Sequence, residues 1–176
     1  MSKKFETFES WVTYCRNEES SSFIDNAAWD HALFLFKNLL SVAAEKGEDV
    51  RLVSGHLNSD FFNQILEELE QCVKAGVLID VIVLDRSLSD PANIFEKKLG
   101  AYEKGSILYC PKAISSSLPH MLLVGDRRFR LETDHEQTKA LASFNNKEMV
   151  KTLSILYVQG KNLISGIPNN NQSQVA

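Results

Sequence analysis

The feature that most constrains the fold is the segment 77–84, VLIDVIVL, which is almost continuously apolar and rich in β-branched residues. Such a run predicts a parallel β-strand covered by other structure on both faces. Another apolar strand is predicted at 50–54, and a helix with one apolar face is predicted between them at about 60–75. Strand, helix and strand within about 35 residues form a βαβ unit with a right-handed crossover. We therefore predict an α/β protein.

Further helices and strands are predicted on both sides of this unit. Before it, apolar residues at helical spacing predict helices at 4–17 and at about 27–46, which make an N-terminal helical extension. After it we predict a short helix, a strand, the two strands of a hairpin and a last helix, at 94–102, 107–110, 121–124, 128–131 and from 134 onward. Together these elements predict a mixed, mostly parallel sheet flanked by helices.

The length and composition of the chain favour a single domain. Its 176 residues, 44% of them hydrophobic, are enough for one full α/β core and too few for two comfortable domains. We predict one domain over residues 1–164, with N-terminal helices at 1–47 and a core at 48–164. The segment 165–176 is polar and lacks core residues, so we predict a disordered tail there.

Charge and hydropathy exclude several classes of protein. The net charge of −4 gives no strong nucleic-acid signal, and no apolar run is long enough to span a membrane. The first residues contain no apolar signal region, which predicts a cytoplasmic protein. The three cysteines match no zinc or redox motif, so we expect buried free thiols, no metal and no cofactor; they are Cys15, Cys72 and Cys110.

The segment 119–126, PHMLLVGD, enters the predicted hairpin and carries His120 just before an apolar strand. The order of strands and helices from 50 to 163, with a histidine before the hairpin and an asparagine after it, resembles one repeat of the phospholipase D superfamily. The signature of that family is HxKxxxxD. The resemblance implies a phospholipase D-like fold over about two thirds of the chain.

The signature can be aligned with this segment in two registers. If Asp126 is matched to the aspartate of the signature, Pro119 stands in the place of the nucleophilic histidine and Met121 in the place of the lysine. If the histidine of the segment is matched to the nucleophile instead, the lysine and the aspartate are replaced by Leu122 and Arg127. Either register loses at least two of the three signature residues, so the resemblance implies a degenerate motif.

The chemistry of the family explains why these losses matter. A neutral imidazole attacks phosphorus, a second histidine acts as general acid, and lysines neutralise the phosphoryl oxygens. Methionine or leucine cannot supply that positive charge. Since the chain carries one such motif, a complete site of the family's kind would require a homodimer with two copies across a two-fold axis.

Three charged residues alternate with apolar ones on the second strand of the hairpin, so Arg128, Arg130 and Glu132 are predicted to share one face. One interpretation is a solvated sheet face with cross-strand pairs. Another is an anion site, in which Arg130 binds a phosphate or carboxylate bidentately and Glu132 orients it. A third is a buried pair of Arg130 with Glu132 that only fixes the hairpin.

Four further residues are candidates for the same site. His120 would be catalytic only in an enzyme; otherwise it is a partly buried structural histidine. His56 follows the first core strand, on the side where open α/β sheets bind ligands, and is a candidate for anion binding. Asp126, in the hairpin turn, and Asn145, after the hairpin, are candidates for supporting roles.

The function predicted from the sequence is that of a non-catalytic phospholipase D-like protein with a role in binding or assembly. A homodimer through the hairpin and a phosphate-containing ligand are its predicted partners. One alternative is a divergent phosphodiesterase or nuclease that uses His120 as nucleophile and Arg130 in place of the lysine. Another is an anion- or nucleotide-binding regulatory module in the same cleft.

Overall fold

The structure is a computed structural model that describes residues 5–88, 90, 92–111, 118–134 and 139–166. Within these ranges the chain forms one seven-stranded sheet in the order β1-β7-β6-β5-β2-β3-β4. The strands β1 to β7 are Ile24–Asn26, Val50–Ser54, Ile79–Val83, Gly105–Tyr109, Met121–Val124, Arg128–Asp134 and Lys139–Ser143.

Helices cover both faces of the sheet. The helices α1 to α6 are Phe8–Asn17, Trp29–Lys46, Ser59–Phe62, Leu66–Lys74, Ile94–Ala101 and Lys147–Ser165. The first five pack on one face and form the larger apolar core, in which α2 is the central helix. Of the described helices, α6 is the one that packs on the other face, where it forms the smaller core. This arrangement buries the central strands from both sides.

The predicted βαβ unit is confirmed. β2 and β3 are parallel, with Val50 opposite Ile79 and Ser54 opposite Val83, and β4 continues the parallel set. Every residue of β3 is buried, as expected for a strand covered on both faces. Gly47 ends α2 in the left-handed conformation, with φ of 64°, and turns the chain toward β2.

The predicted α/β class with a mixed, helix-flanked sheet is confirmed, with one difference in strand direction. Among the described strands two neighbouring pairs are parallel and four are antiparallel, so the sheet is not mostly parallel. The reason is that β5, β6 and β7 follow one another as an antiparallel meander, and β1 is added to its edge. Only the βαβ part supplies parallel neighbours.

The prediction for the segment after the hairpin is wrong. Asp134 is the last residue of β6 rather than a helix cap, and Lys139–Ser143 is strand β7 rather than helix. The predicted cap partners at 135–137 lie outside the described residues. Alanine and leucine favour helices, but here pairing with two neighbouring strands overrides that preference. The last helix begins only after Asn146, whose side chain accepts from the Met149 N–H.

Two smaller differences concern the N-terminal half. The segment predicted to hold only helices contains β1, which pairs with β7 at the edge of the sheet. The helix predicted at about 60–75 is divided into α3, a 3₁₀ turn at Asn63–Ile65, and α4. Three residues are too few to show a strand period, so no pattern of residues indicated β1.

Three other predictions concern the cysteines, membrane spans and the C-terminal tail. The three cysteines are free and buried. No helix of the described residues is long and apolar enough to cross a membrane. The predicted tail at 165–176 begins at the last residue of α6, and residues 167–176 lie outside the described part.

Candidate functional site

A row of mostly polar side chains crosses the sheet at the end where β2 ends and α2 begins. Asn26 on β1 is opposite Ala140 on β7, and Ala140 is opposite Glu132 on β6. The Glu132 N–H donates to the His120 carbonyl oxygen at 2.9 Å, and the register of β5 with β2 places His120 beside Ser54. These side chains lie on the sheet face covered by α2. Asn26 is two residues from the core residue Ile24, and residues two apart on a strand share one face. We call this row the rim.

His120 and Glu132 form a contact at the centre of the rim. The His120 Nδ1 lies 2.9 Å from the Glu132 Oε2, and the two side chains are 23% and 12% exposed. The other side of the imidazole packs against Gly55, where an added Cβ would stand 2.9 Å from the His120 Cε1. Glycine at the end of β2 therefore makes room for the histidine, and the carboxylate fixes the orientation of its ring.

Arg130 lies on β6, two residues before Glu132 and on the same face of the sheet. It is only 6% exposed, and its guanidinium carbon is 5.5 Å from the centre of the Phe36 ring. Its Nε is buried without a hydrogen-bond partner, and Arg130 forms no ion pair with any residue that the structure describes. Burial lowers the pKa of the Arg130 guanidinium, and the nearby Glu132 carboxylate partly opposes this effect.

Arg130 is therefore not paired with Glu132, which contacts His120 instead. Of the three interpretations made from the sequence, a solvated sheet face does not fit the burial of Arg130, and a structural pair of Arg130 with Glu132 does not fit the contacts. The arrangement leaves a buried positive charge with a free hydrogen-bonding edge, which is the requirement for an anion site.

Asn26 is a candidate that the sequence interpretation missed. It is 2% exposed, and within the described part of the chain neither the oxygen nor the nitrogen of its side-chain amide has a hydrogen-bond partner. Buried amides are hydrogen-bonded in nearly all proteins, so such a residue calls for an explanation. The signal in the sequence was an asparagine two residues after Ile24 and just before a helix, but it could be recognised only once β1 was known.

The first turn of α2 stands next to Asn26 in the chain. The helix begins at Trp29 after Ala28, whose methyl side chain cannot cap the helix, and no side-chain cap hydrogen bond is formed there. The Asp30 carboxylate accepts a hydrogen bond from the His31 N–H at 3.0 Å. The helix has 18 residues, and the positive end of its dipole lies at its N-terminus, close to the rim.

The second predicted arginine, Arg128, lies at the other end of β6. It is buried, and its guanidinium donates to Glu48 and, at 3.0 Å, to Glu19. Gly125 faces the same Glu48 carboxylate, with a positive φ of 59°. Arg128 thus already has two carboxylate partners and connects the hairpin to the loop after α1 and the loop after α2.

Asp126 and Asn145 also lie at that opposite end. Asp126 is in the turn between β5 and β6 and pairs with Arg127 at 2.9 Å and Lys147 at 3.4 Å. Asn145 follows β7, and its N–H donates to the Ser143 hydroxyl at 3.3 Å. With β5 four residues long, these two residues are roughly 15 Å from His120 along the strand direction. The structure does not bring them together with His120.

His56 lies in the loop that leaves β2 and is half-buried. Its carbonyl oxygen accepts from the Ser54 hydroxyl at 2.9 Å. Because Gly55 touches the His120 ring, His56 is a neighbour of the rim, as the sequence predicted. Of the predicted site residues, the structure therefore gathers His120, Glu132, Arg130 and His56 at one end of the sheet.

Comparison with solved structures supports the fold, whereas comparison with family models and curated proteins finds no match. No family model matches the chain, and a search of curated proteins finds no match. Among solved structures, the chain is similar to Nuc from Salmonella typhimurium, a phospholipase D family member, with a TM-score of 0.59 and 12% identity. The similarity covers 80% of this chain and 94% of Nuc.

Two further solved structures share this architecture. NucT from Helicobacter pylori gives a TM-score of 0.58 at 10% identity, over 80% of this chain and 97% of NucT. TrmBL2, an archaeal chromatin protein with a novel mode of DNA binding, gives a TM-score of 0.61 at 10% identity and 88% coverage of this chain. This chain spans only 59% of TrmBL2. The resemblance read from the sequence is confirmed at the level of architecture: the chain has a phospholipase D-like fold.

Proposed function

We propose that this chain is a non-catalytic phospholipase D-like binding module that holds an anionic group at the rim through Arg130. The observation that carries the proposal is the buried guanidinium of Arg130, which has neither an ion pair nor a partner for its Nε among the described residues. An anion at this place would restore the hydrogen bonds and the charge balance that the folded chain leaves incomplete.

The energetics favour a ligand over a purely structural role. Leaving a buried polar group without a partner costs about 1–3 kcal/mol, and more when the group is charged. A hydrogen bond to a charged group contributes about 1.5–3 kcal/mol. A bidentate contact between a phosphate or carboxylate and Arg130 would therefore turn the free-energy cost of the buried guanidinium into a net stabilisation. Glu132 does not fill the place, because its carboxylate contacts the imidazole of His120.

The proposal of a non-catalytic protein is supported by the surroundings of His120. In the register matched on Asp126, the position of the lysine is taken by Met121, which is buried in the core beneath α6. Alternation along β5 directs Met121 to the face opposite that of His120. The buried cation nearest to His120 along β6 is Arg130, and His120 itself contacts the Glu132 carboxylate.

Titration calorimetry with inorganic phosphate tests the proposal. We expect the wild-type protein to bind phosphate and the Arg130→Met variant to lose binding. Arg130→Lys is expected to bind more weakly, because lysine keeps the charge without the forked geometry. Arg127→Met is the matched control, since Arg127 is an arginine of the same hairpin that pairs with Asp126 away from the rim. Equal binding by the wild type and Arg130→Met would refute the proposal.

A divergent phosphodiesterase is the second candidate, and the contact of His120 with Glu132 is the observation that favours it. A carboxylate that orients an imidazole is a recurrent arrangement of nucleophilic and general-base histidines. The candidate predicts hydrolysis of a chromogenic phosphodiester that is lost in both His120→Ala and Arg130→Met. We expect no hydrolysis above the buffer rate. Activity that disappears with His120→Ala would establish an enzyme and overturn the non-catalytic proposal.

The homodimer through the hairpin remains a prediction of the sequence. Light scattering of the purified protein measures its molecular mass directly. A mass of two chains supports an assembly role, and a monomer at micromolar concentration removes it.

A further inference from the structure

We infer that Asn26 and the first turn of α2 complete the site of Arg130, and that the ligand enters with a terminal anionic group. That group is a phosphomonoester or a carboxylate, and a phosphodiester within a nucleic-acid strand is excluded. The inference rests on the proposed function, because it takes Arg130 as the principal anion-binding residue.

The geometry of the sheet places Asn26 and Arg130 on either side of β7. Asn26 is opposite Ala140, and Arg130 is opposite Ala142, so the strand between them presents only methyl groups on this face. Neighbouring strands are about 4.8 Å apart, so the backbones of β1 and β6 are about 10 Å from one another. Asn26 is level with Glu132, and Arg130 is level with Ile24, so Asn26 and Arg130 are also offset by two residues along the strands. The two side chains do not bond to each other, since neither polar atom of the Asn26 amide has a partner among the described residues. We take the space over the two alanines, which the Glu132 carboxylate also borders, as the place of the ligand.

The helix α2 supplies the third side of this space. It starts three residues after Asn26, and Ala28 at its N-cap provides no side-chain acceptor, although the Asp30 carboxylate accepts from the His31 N–H in the same turn. Anions bind well at such ends because the N–H groups and the helix dipole are both directed at them. The second, independent observation is that the Asn26 amide and the Arg130 Nε, one on each side of β7, are buried without a hydrogen-bond partner among the described residues.

The burial of the two side chains determines the class of ligand. At 2% and 6% exposure, Asn26 and Arg130 can be reached only by a group at the end of a molecule. A phosphodiester carries a substituent on two sides and would need an open groove along the sheet. A phosphomonoester or a carboxylate can insert its oxygens and leave the rest of the ligand outside, near the half-exposed ring of Trp29. The net charge of −4 also disfavours a polyanionic strand.

Binding of four probes to the full-length protein tests the inference. The probes are phenyl phosphate, diphenyl phosphate, benzoate and a single-stranded oligonucleotide, measured by titration calorimetry. We expect phenyl phosphate or benzoate to bind, and the diester and the oligonucleotide to bind at least about tenfold more weakly. The stronger of the first two probes identifies the terminal group as phosphate or carboxylate.

Binding by variants of Asn26 is the second test of the inference. Asn26→Leu keeps the branching of the side chain and removes the amide, so affinity should fall about tenfold, as expected for one hydrogen bond to a charged group. Asn26→Asp should bind still more weakly, because it adds a negative charge. Thermal melting checks that these variants fold, and Asn26→Ala replaces Asn26→Leu if leucine prevents folding. Asp25→Asn is the control, since Asp25 is the exposed neighbour on the opposite face of β1.

The outcomes separate this inference from the proposed function. If binding needs Arg130 but is unchanged in the folded Asn26 variants, the completed site is wrong and the anion-binding function stands. If the diester or the oligonucleotide binds as tightly as the monoester and still needs Arg130, the terminal group is wrong. If no probe and no inorganic phosphate binds, both proposals are refuted.

Discussion

Replacing Arg130 with methionine is expected to raise the free energy of unfolding of the ligand-free protein. The variant removes a buried charge with an unpartnered Nε, which costs the native protein about 1–3 kcal/mol. Methionine keeps an apolar stem against Phe36 and loses a cation–π contact of about 0.5–2 kcal/mol. The difference is a gain of about 1 kcal/mol, which corresponds to about 2–4 °C in Tm for a chain of this size.

Arg128 provides the matched control, because it is the same residue type on the same strand and face, two positions earlier. Replacing it with methionine leaves the carboxylates of Glu48 and Glu19 without their shared partner. Breaking a fully buried pair costs about 3–5 kcal/mol. Both glutamates are partly exposed, so we expect a loss of about 2 kcal/mol for Arg128→Met.

Urea unfolding, followed by tryptophan fluorescence and far-UV circular dichroism, measures both changes. The slope of the free energy against urea should remain that of the wild type, so that the midpoints report stability. The two arginine variants are expected to move in opposite directions. A lower free energy of unfolding for Arg130→Met would show that its guanidinium stabilises the fold without a ligand, and the argument for the anion site would fail.

Three further predictions concern other parts of the fold. Tyr157→Phe should lower the free energy of unfolding by about 1 kcal/mol in urea titrations, because its hydroxyl donates to a buried carbonyl oxygen of β3 at 3.0 Å; an unchanged midpoint would contradict this contact. Gly125→Ala should lower the melting temperature more than Gly47→Ala. Both glycines have a positive φ, but of these two only a methyl group at Gly125 would collide with a side chain, that of Glu48. Equal effects would argue against the collision. Burial raises the pKa of the Cys72 thiol to about 11, so a thiol reagent at neutral pH should modify this cysteine only after unfolding; rapid labelling of the native protein would show that α4 opens.

Prediction from the sequence succeeded where the signal is local and repeated. The apolar run at 77–84 identified β3 as a strand buried on both faces, and the pattern around Gly125 identified the hairpin of β5 and β6. It failed for β7, where Lys139–Ser143 consists of residues that favour helices and becomes a strand only through its two neighbours. The direction of strand pairing likewise depends on contacts between distant parts of the chain.

The candidate site was predicted in part for the same reason. Alternation along one strand was enough to place Arg130 and Glu132 on a common face, and the order of elements placed His120 and His56 at one end of the sheet. Asn26 could not be found, because its role depends on the three-residue strand β1 and on its position across β7. Pairing of Arg128 with carboxylates distant in sequence was equally invisible to a local pattern.

The strand β1 also protects the border of the sheet. It is short, precedes α2 in the chain, and occupies the hydrogen-bonding side of β7 that would otherwise be open. Without β1, the three residues of β7 that it pairs with, Ala140, Leu141 and Ala142, would present an uncovered ladder of N–H and C=O groups. Such ladders recruit strands from other molecules, so β1 lowers the tendency of the chain to aggregate through this edge. The pairing of β1 with β7 thus limits unwanted self-association through this edge.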